Sequence, residues 1–555
     1  MDRLPRYLYW YHYYVLLQTQ IRQRMTPIRP LFLLAFSLFF VSPARALDVS
    51  SMESIPVQEG GRKKPFIVFA DEALMSLSGK NQFKKEGEKI SSTLTVSSLW
   101  LTPRGWENQP LILIGNKKFK SQVGLDPATK LFSYRDLAAN EPLRAALKDV
   151  SALRAKNPKV KLDPLQREAS TIGMRLAVFE GLVSGRGIML LPTGAAAWSP
   201  LAPEDPALVK IREGFMSGDQ ATYDAGLELL RGEQSRENPR FQADPSKIAI
   251  EVFYQKLHPF RWAWILYLVS GMSLLLLAGG RVGYALAWGF ALAGFLMQLA
   301  GFVFRILISG RAPVTNMYES VVWVAFGTIL FALIFEAIYR SRYFLLGAVP
   351  VAVTSLILAD TQTVILDRSI HPLVPVLADN FWLTTHVLTI TLSYAAFALA
   401  LGVGHIILGK SIFGSKASPA LHNYLYRTLQ VGVLLLAVGT ILGAVWANYS
   451  WGRFWDWDPK ETWALIALLG YLFVLHGRIA GKWGGFGLAV GAVLAFQCII
   501  MAWYGVNFVL GVGLHSYGFG AGGFPTAVGF VLSEFAFVLI SILRHRGLKA
   551  AKSSA

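Results

Sequence analysis

The densest chemical signal in this chain is the stretch Trp446-Ala-Asn-Tyr-Ser-Trp451-Gly-Arg-Phe-Trp455-Asp-Trp457-Asp458-Pro459-Lys460-Glu461-Thr-Trp463. It holds five tryptophans in eighteen residues. Two ordinary readings compete for it. An interfacial aromatic belt needs only one or two tryptophans at a span end. Aspartate as N-cap, proline at N1 and glutamate at N3 make a sound helix start, which accounts for Asp458, Pro459 and Glu461 locally. Neither reading explains five large flat rings with a glycine among them. An apolar aromatic shelf suits a planar ligand, with haem or another macrocycle as the leading class.

Iron in such a ring needs axial ligands, and neutral imidazole is a good one. The chain has nine histidines. His386 falls at the outer end of the fifth apolar run and His515 in the last outward loop, on the same side as the tryptophans. A hydrogen-bonded structural role and ligation of a metal are both open for them. His371 is a third on that side, although His371-Pro372 reads as a turn. His476, at the opposite end of the seventh run, is either an interfacial histidine or a second binding point, because ionisable groups within spans are costly and rare. His258 precedes the first run; His405, His422, His545 and His12 read as bystanders. Arg305 and Arg311 suit carboxylates, so haem propionates and Glu319 are both open partners. Glu336, Asp360 and Glu534 lie in or near spans and receive no role.

These side chains must be held by membrane helices. The chain is 53% hydrophobic and only 16% charged, against about a quarter charged in soluble proteins. Nine runs approach the roughly 20 residues that cross a hydrocarbon core: 262–279, 283–308, 320–339, 343–362, 384–408, 428–446, 463–477, 484–503 and 525–543. Alternate loops carry twelve basic residues on one side, among them Arg340, Lys410 and Lys482, and four on the other: Arg311, Arg368, Arg453 and Lys460. The positive-inside rule then faces the tryptophan loop outward. Arg22, Arg24 and Arg29 precede the apolar run Leu31–Val41 and Ala44-Arg45-Ala46. That order reads as a secretory signal over 1–46, with Met25 an alternative start. Residues 47–260 form an exported water-soluble block, with strand-like runs at Pro65–Phe69 and Leu111–Gly115 and helices at Pro164–Leu182 and Thr222–Leu230. The expected fold is a polytopic α-helical membrane protein, 261–555, carrying an N-terminal soluble α+β domain.

The net charge of +18 does not indicate nucleic acid: it divides as +5 over 1–46, +4 over 47–260 and +9 over 261–555, where targeting and topology explain it. The single cysteine, Cys498, excludes an internal disulfide, a CxxC redox pair and a CxxCH haem-attachment site.

Trp451-Gly-x-x-Trp455-x-Trp457-Asp458-Pro459-x-Glu461-x-Trp463 resembles the WWD signature of the CcsA (ResC) family of system II cytochrome c biogenesis. Asn316-Met-Tyr318-Glu319, Trp382-x-x-x-His386 with Ser393-Tyr394, Tyr471-x-x-x-x-His476-x-Arg478, and Asn507 with Gly513-Leu514-His515-Ser516-Tyr517 resemble its other motifs in order. The likeness covers about 262–543. It implies a bacterial inner-membrane protein that binds haem b at the periplasmic face, through His386 and His515 and the ring platform Trp451, Trp455, Trp457 and Trp463, with Asp458 and Glu461 in the same loop. His476 would hold haem arriving from the inner side. The implied partners are a ResB/CcsB-like membrane protein, apocytochrome c, thioredoxin-like thiol reductants and lipid. A CcmC/CcmF-type haem exporter or chaperone is the rival reading, and a b-type electron-transfer cytochrome a weaker one. The resemblance leaves open whether such a protein catalyses thioether formation, as a holocytochrome c synthase, or only presents haem.

Overall fold

In a computed structural model of the chain, the described residues are 47–553 except 86, 159, 194–196, 237, 238, 240, 278, 279, 363, 364, 374–378 and 511–522. The signal-like segment 1–46 lies outside them.

The soluble part is helical around small hairpins. Gly60 and Gly61, both at positive φ, close the two-residue turn between β1 (Pro56–Glu59) and β2 (Arg62–Pro65), where Glu59 pairs with Arg62. Only residues that tolerate positive φ fit such a turn. The strand expected over Pro65–Phe69 is corrected here. β2 ends at Pro65, and Phe66–Ser78 is a helix, α1. Phe66, Phe69, Ala70, Ala73, Leu74 and Leu77 are all buried, and their spacing of three and four matches one helix face. Four β-rich residues at its start were outweighed by that period. The strand over Leu111–Gly115 and the two helices appear, as Pro110–Leu113, Pro164–Ser184 and Gln220–Arg236.

Nine helices among the described residues are long and apolar enough to cross a membrane. The protein is a multi-pass membrane protein. The first span, Pro259–Leu276, continues from a soluble-side helix, Pro245–Leu257. Only His258 separates them, in a left-handed conformation (φ 48°). The link is therefore a helix elbow, where the sequence reading had placed the end of a soluble block.

The fifth span, Leu383–Ile412, lies at the centre, against the third, fourth, sixth, eighth and ninth. Where it meets the fourth, a Cβ on Gly402 would stand 2.1 Å from the carbonyl oxygen of Gly347. Only glycine allows that approach. Glu336, which received no role from sequence, is fully buried. It accepts a hydrogen bond from the Tyr284 hydroxyl at 2.9 Å and from the amides of Arg342 (2.8 Å) and Phe344 (3.0 Å), so it caps the fourth span. His405, read as a bystander, faces Glu534 across the fifth and ninth spans at 3.1 Å.

Arg305 and Glu319 form the tightest polar junction of the second and third spans, 2.6 Å apart and 2% and 4% exposed. Of the two partners open to Arg305, the structure gives Glu319. Breaking one side of a buried pair leaves an uncompensated charge, at a cost on the order of 3 to 5 kcal/mol. Arg305→Leu is therefore expected to lower the melting temperature of the detergent-solubilised protein sharply. The double variant Arg305→Leu/Glu319→Leu should recover part of the loss, and no recovery would contradict the pairing argument.

Candidate functional site

At the bundle end that carries the tryptophan loop, the third, fifth, sixth, seventh and eighth spans enclose an open cavity with about 1170 Å³ of space, its mouth included. The surface is mostly apolar, with a few polar groups converging on it.

His386 is on its wall. It sits in a π-helical turn, Leu383–Val387, at the head of the fifth span. Such widened turns insert a residue and frequently mark functional positions. Its Nδ1–H donates to the Gly439 carbonyl of the sixth span at 2.8 Å, which leaves the Nε2 atom carrying the lone pair that could bind iron. Gly443, one turn after Gly439, makes room for this ring, whereas a Cβ on Gly439 would meet Ile390 Cα at 2.8 Å. A Cβ on Gly443 would lie 2.6 Å from His386 Cε1. Sequence reasoning missed both glycines.

The tryptophans divide. Trp446 and Trp455 line the cavity, with the Trp446 ring centroid 5.7 Å from that of His386. Trp451, Trp457 and Trp463 are not among the lining residues. Trp451 ends the sixth span before Gly452 in a left-handed turn, and the Arg453 guanidinium lies 5.9 Å over its ring. Trp457 is 69% exposed and meets Trp455 edge to face at 5.8 Å. Its backbone is also left-handed, at φ 57°, which is rare for a bulky residue. Phe454 and Trp503, not singled out from sequence, complete the aromatic wall. Trp503 stands in a second π-helical stretch, Met501–Leu510, and its indole N–H donates to Ser320 Oγ at 2.9 Å.

Asp458 and Glu461 form the capping box of the seventh span. The Glu461 carboxylate also receives the amide of Asp456 at 2.9 Å, so these two acids shape the turn that presents Trp455. Glu461 lines the cavity as well, and its Oε1 is buried with no hydrogen-bond partner among the described residues. Lys460 on the same turn donates to Asn507 Oδ1 at 3.0 Å, bridging the seventh and eighth spans at the cavity wall.

His476 is at the opposite end of the bundle, exposed, its Nδ1–H donating to the Leu472 carbonyl at 2.7 Å. His515 lies outside the described residues. His371 does not line the cavity; it pairs with Asp367 at 2.7 Å. Arg311 reaches the His371 carbonyl.

The His371–Asp367 pair has a definite pH window. The hydrogen bond to Asp367 lifts the His371 imidazole above its ordinary value, against the effect of burial. Burial alone would raise the Asp367 carboxyl, but hydrogen bonds from His371 and Ser369 carry it down to about 2. The raised imidazole stabilises the loop below the ordinary histidine value and loses that contribution as pH rises through the folded one. The depressed carboxyl contributes above the ordinary carboxylate range and loses that only as pH falls towards 2. Amide exchange over 365–371, corrected for intrinsic rate, is therefore expected to quicken from pH 6 to pH 9. His371→Gln should abolish this dependence, and an unchanged pH dependence would assign it to another group.

This cavity-bearing bundle has recognisable relatives. Residues 314–515 match the family model described as cytochrome C assembly protein. The chain is 39% identical to the cytochrome c biogenesis protein CcsA of Prochlorococcus marinus (strain NATL2A) over 247 residues, 38% of this chain and 78% of that protein. It is 37% identical to CcsA of Guillardia theta over 243 residues, 39% and 79% of the two chains. The protein NrfI of Wolinella succinogenes is 28% identical over 500 residues, 82% of this chain. The chain spans about half of NrfI, 53% of its length. It belongs to the CcsA family of cytochrome c biogenesis proteins.

Proposed function

We propose that the protein binds haem b in the cavity beside His386, at the periplasmic face of the bacterial inner membrane, and presents it to apocytochrome c. One observation carries this reading: a histidine whose Nδ1 is anchored to a backbone carbonyl, 5.7 Å from a tryptophan ring, in the wall of a large apolar cavity. Haem is the cargo. His386 Nε2 supplies one axial ligand, and His515, in the loop before the ninth span, supplies the other. Trp446, Trp455, Phe454 and Trp503 surround the ring, while Asp458 and Glu461 hold the loop that carries Trp455. Trp451, Trp457 and Trp463 support that loop or its rim.

Attachment adds a cysteine S–H across each vinyl C=C: sulfur bonds to the inner carbon, the proton goes to the terminal carbon, and no electrons are gained or lost. The protein's contribution is to fix the haem edge where the CxxCH thiols arrive, since positioning converts a slow encounter into a fast one. Thioredoxin-like reductants would keep those thiols reduced. His476 sits at the far end of the bundle and receives haem from the cytoplasmic side, with a ResB/CcsB-like subunit supplying a second ligand there. Residues 1–46 direct export, which places the soluble block 47–260 outside with the cavity.

The test is reconstitution in a host without its own maturation system. Co-expression with a ResB-like subunit and a c-type reporter should yield covalent haem, and reporter fusions at Arg453 should read as exported. A cytoplasmic reading at Arg453 sinks the mechanism. Maturation by this chain without the subunit removes the partner from it.

A further inference from the structure

The soluble part of the chain makes an ionic junction with the segment between the fourth and fifth spans, which is linked in turn to the wall of the cavity. Asp71, near the middle of α1 and 7% exposed, accepts hydrogen bonds from Ser92 and Gln255. It also pairs with Arg368, 297 residues later, at 2.9 Å. Arg368 lies in the segment between the fourth and fifth spans, and its carbonyl receives Arg305 Nη1 at 3.1 Å. Arg305 holds Glu319. The other oxygen of Glu319 accepts the Thr315 amide at 2.8 Å and its hydroxyl at 2.7 Å. Thr315, Asn316 and Met317 then line the cavity. A second route reinforces the first: the Tyr254 hydroxyl, on the helix before the elbow, meets Arg305 Nη1 at 3.2 Å.

We propose that the soluble unit is a positional support for the cavity: Asp71 latches Arg368, and through Arg305 and Glu319 the latch holds the 314–317 wall in its ligand-binding shape. This extends the haem reading and depends on it for the choice of ligand. The physical case is that every link is a charge-assisted hydrogen bond, that Arg305 and Glu319 are almost wholly buried, and that a buried ion pair has one low-energy geometry. A merely adhesive interface would not need to run in series to a cavity wall. Asp71, Arg368, Arg305 and Glu319 are positioning residues: Asp71, Arg368 and Arg305 do not line the cavity, and none is assigned a bond to haem.

The experiment compares full-length wild type, Asp71→Ala, Arg368→Gln and Arg368→Lys, purified with haem. Two readouts are taken at one pH: amide exchange by mass spectrometry over 312–319 and 365–371, and the rate of haem release to an excess of apomyoglobin. In Asp71→Ala, exchange in both segments should rise by about tenfold, as expected for losing one charge-assisted hydrogen bond. Haem release should quicken by several-fold. Arg368→Gln acts from the opposite side of the junction without disturbing the soluble core, and should reproduce this even where Asp71→Ala folds poorly. Arg368→Lys keeps a cation and should stay near wild type. Faster exchange confined to 365–371, with 312–319 unchanged, overturns the latch. So does faster exchange at 312–319 with unaltered haem release. Wild type purified without haem would count against the haem reading alone, and the exchange at 312–319 would still decide the latch.

Discussion

His386→Gly should abolish cytochrome maturation while leaving the protein inserted at wild-type amounts. The ring it removes sits in space left by Gly443, with the Gly439 carbonyl as acceptor for Nδ1. No other histidine lines the cavity among the described residues. Loss of an axial imidazole should convert a low-spin haem spectrum to a high-spin one and lower haem per protein. The expected loss of covalent reporter is at least about tenfold, the scale of one removed binding interaction of about 1.4 kcal/mol or more. Added imidazole should restore part of the maturation, because the vacated volume and the Gly439 acceptor remain. Normal maturation in this variant would mean that iron is bound elsewhere, and His371 would be the next residue to vary.

The second large effect concerns the tryptophans, where the structure separates residues that the sequence motif groups together. Replacing Trp446 and Trp455 by alanine removes two rings from the cavity wall, each a large part of the surface available to a planar ligand. Haem per inserted protein is expected to fall by about tenfold or more, since burying an aromatic side chain of this size is worth a few kcal/mol. Trp457→Ala and Trp463→Ala change residues outside the lining and should lower haem content by less than about threefold, within the range of modest single substitutions. The measurement is the pyridine haemochrome value divided by quantified protein. An equal loss from both pairs would restore the view of one continuous platform across the whole motif.

The contrast shows what the sequence could and could not disclose. Nine apolar runs, basic residues on alternate loops and the Asp458-Pro459-Glu461 helix start are local patterns, and the bundle and its capping box follow from them. Trp455 and Trp457 lie in a short non-helical turn, where no period says which ring faces inward. Trp446 belongs to a helix, and its place was hidden because the sixth span continues to Trp451, beyond the apolar run that ends near 446. The π-helical turn holding His386 has no composition signature. Gly443 looks like an ordinary small residue until the neighbouring imidazole is placed against it. Phe66–Phe69 misled because its β-rich residues precede the Ala-Leu repeat that fixes the helix. Asp71 and Arg368 are far apart in the chain, and neither lies in a motif.

The cavity bounded by Trp446, Trp455 and His386 is expected to hold haem through that histidine. A cryo-electron microscopy map of the full chain, co-expressed with a ResB-like protein and purified with haem, tests this directly. The expected result is density for a macrocycle in this cavity, with His386 Nε2 bonded to iron and the ring against Trp455. A cavity empty of haem in a complex that carries it at another site would contradict the claim.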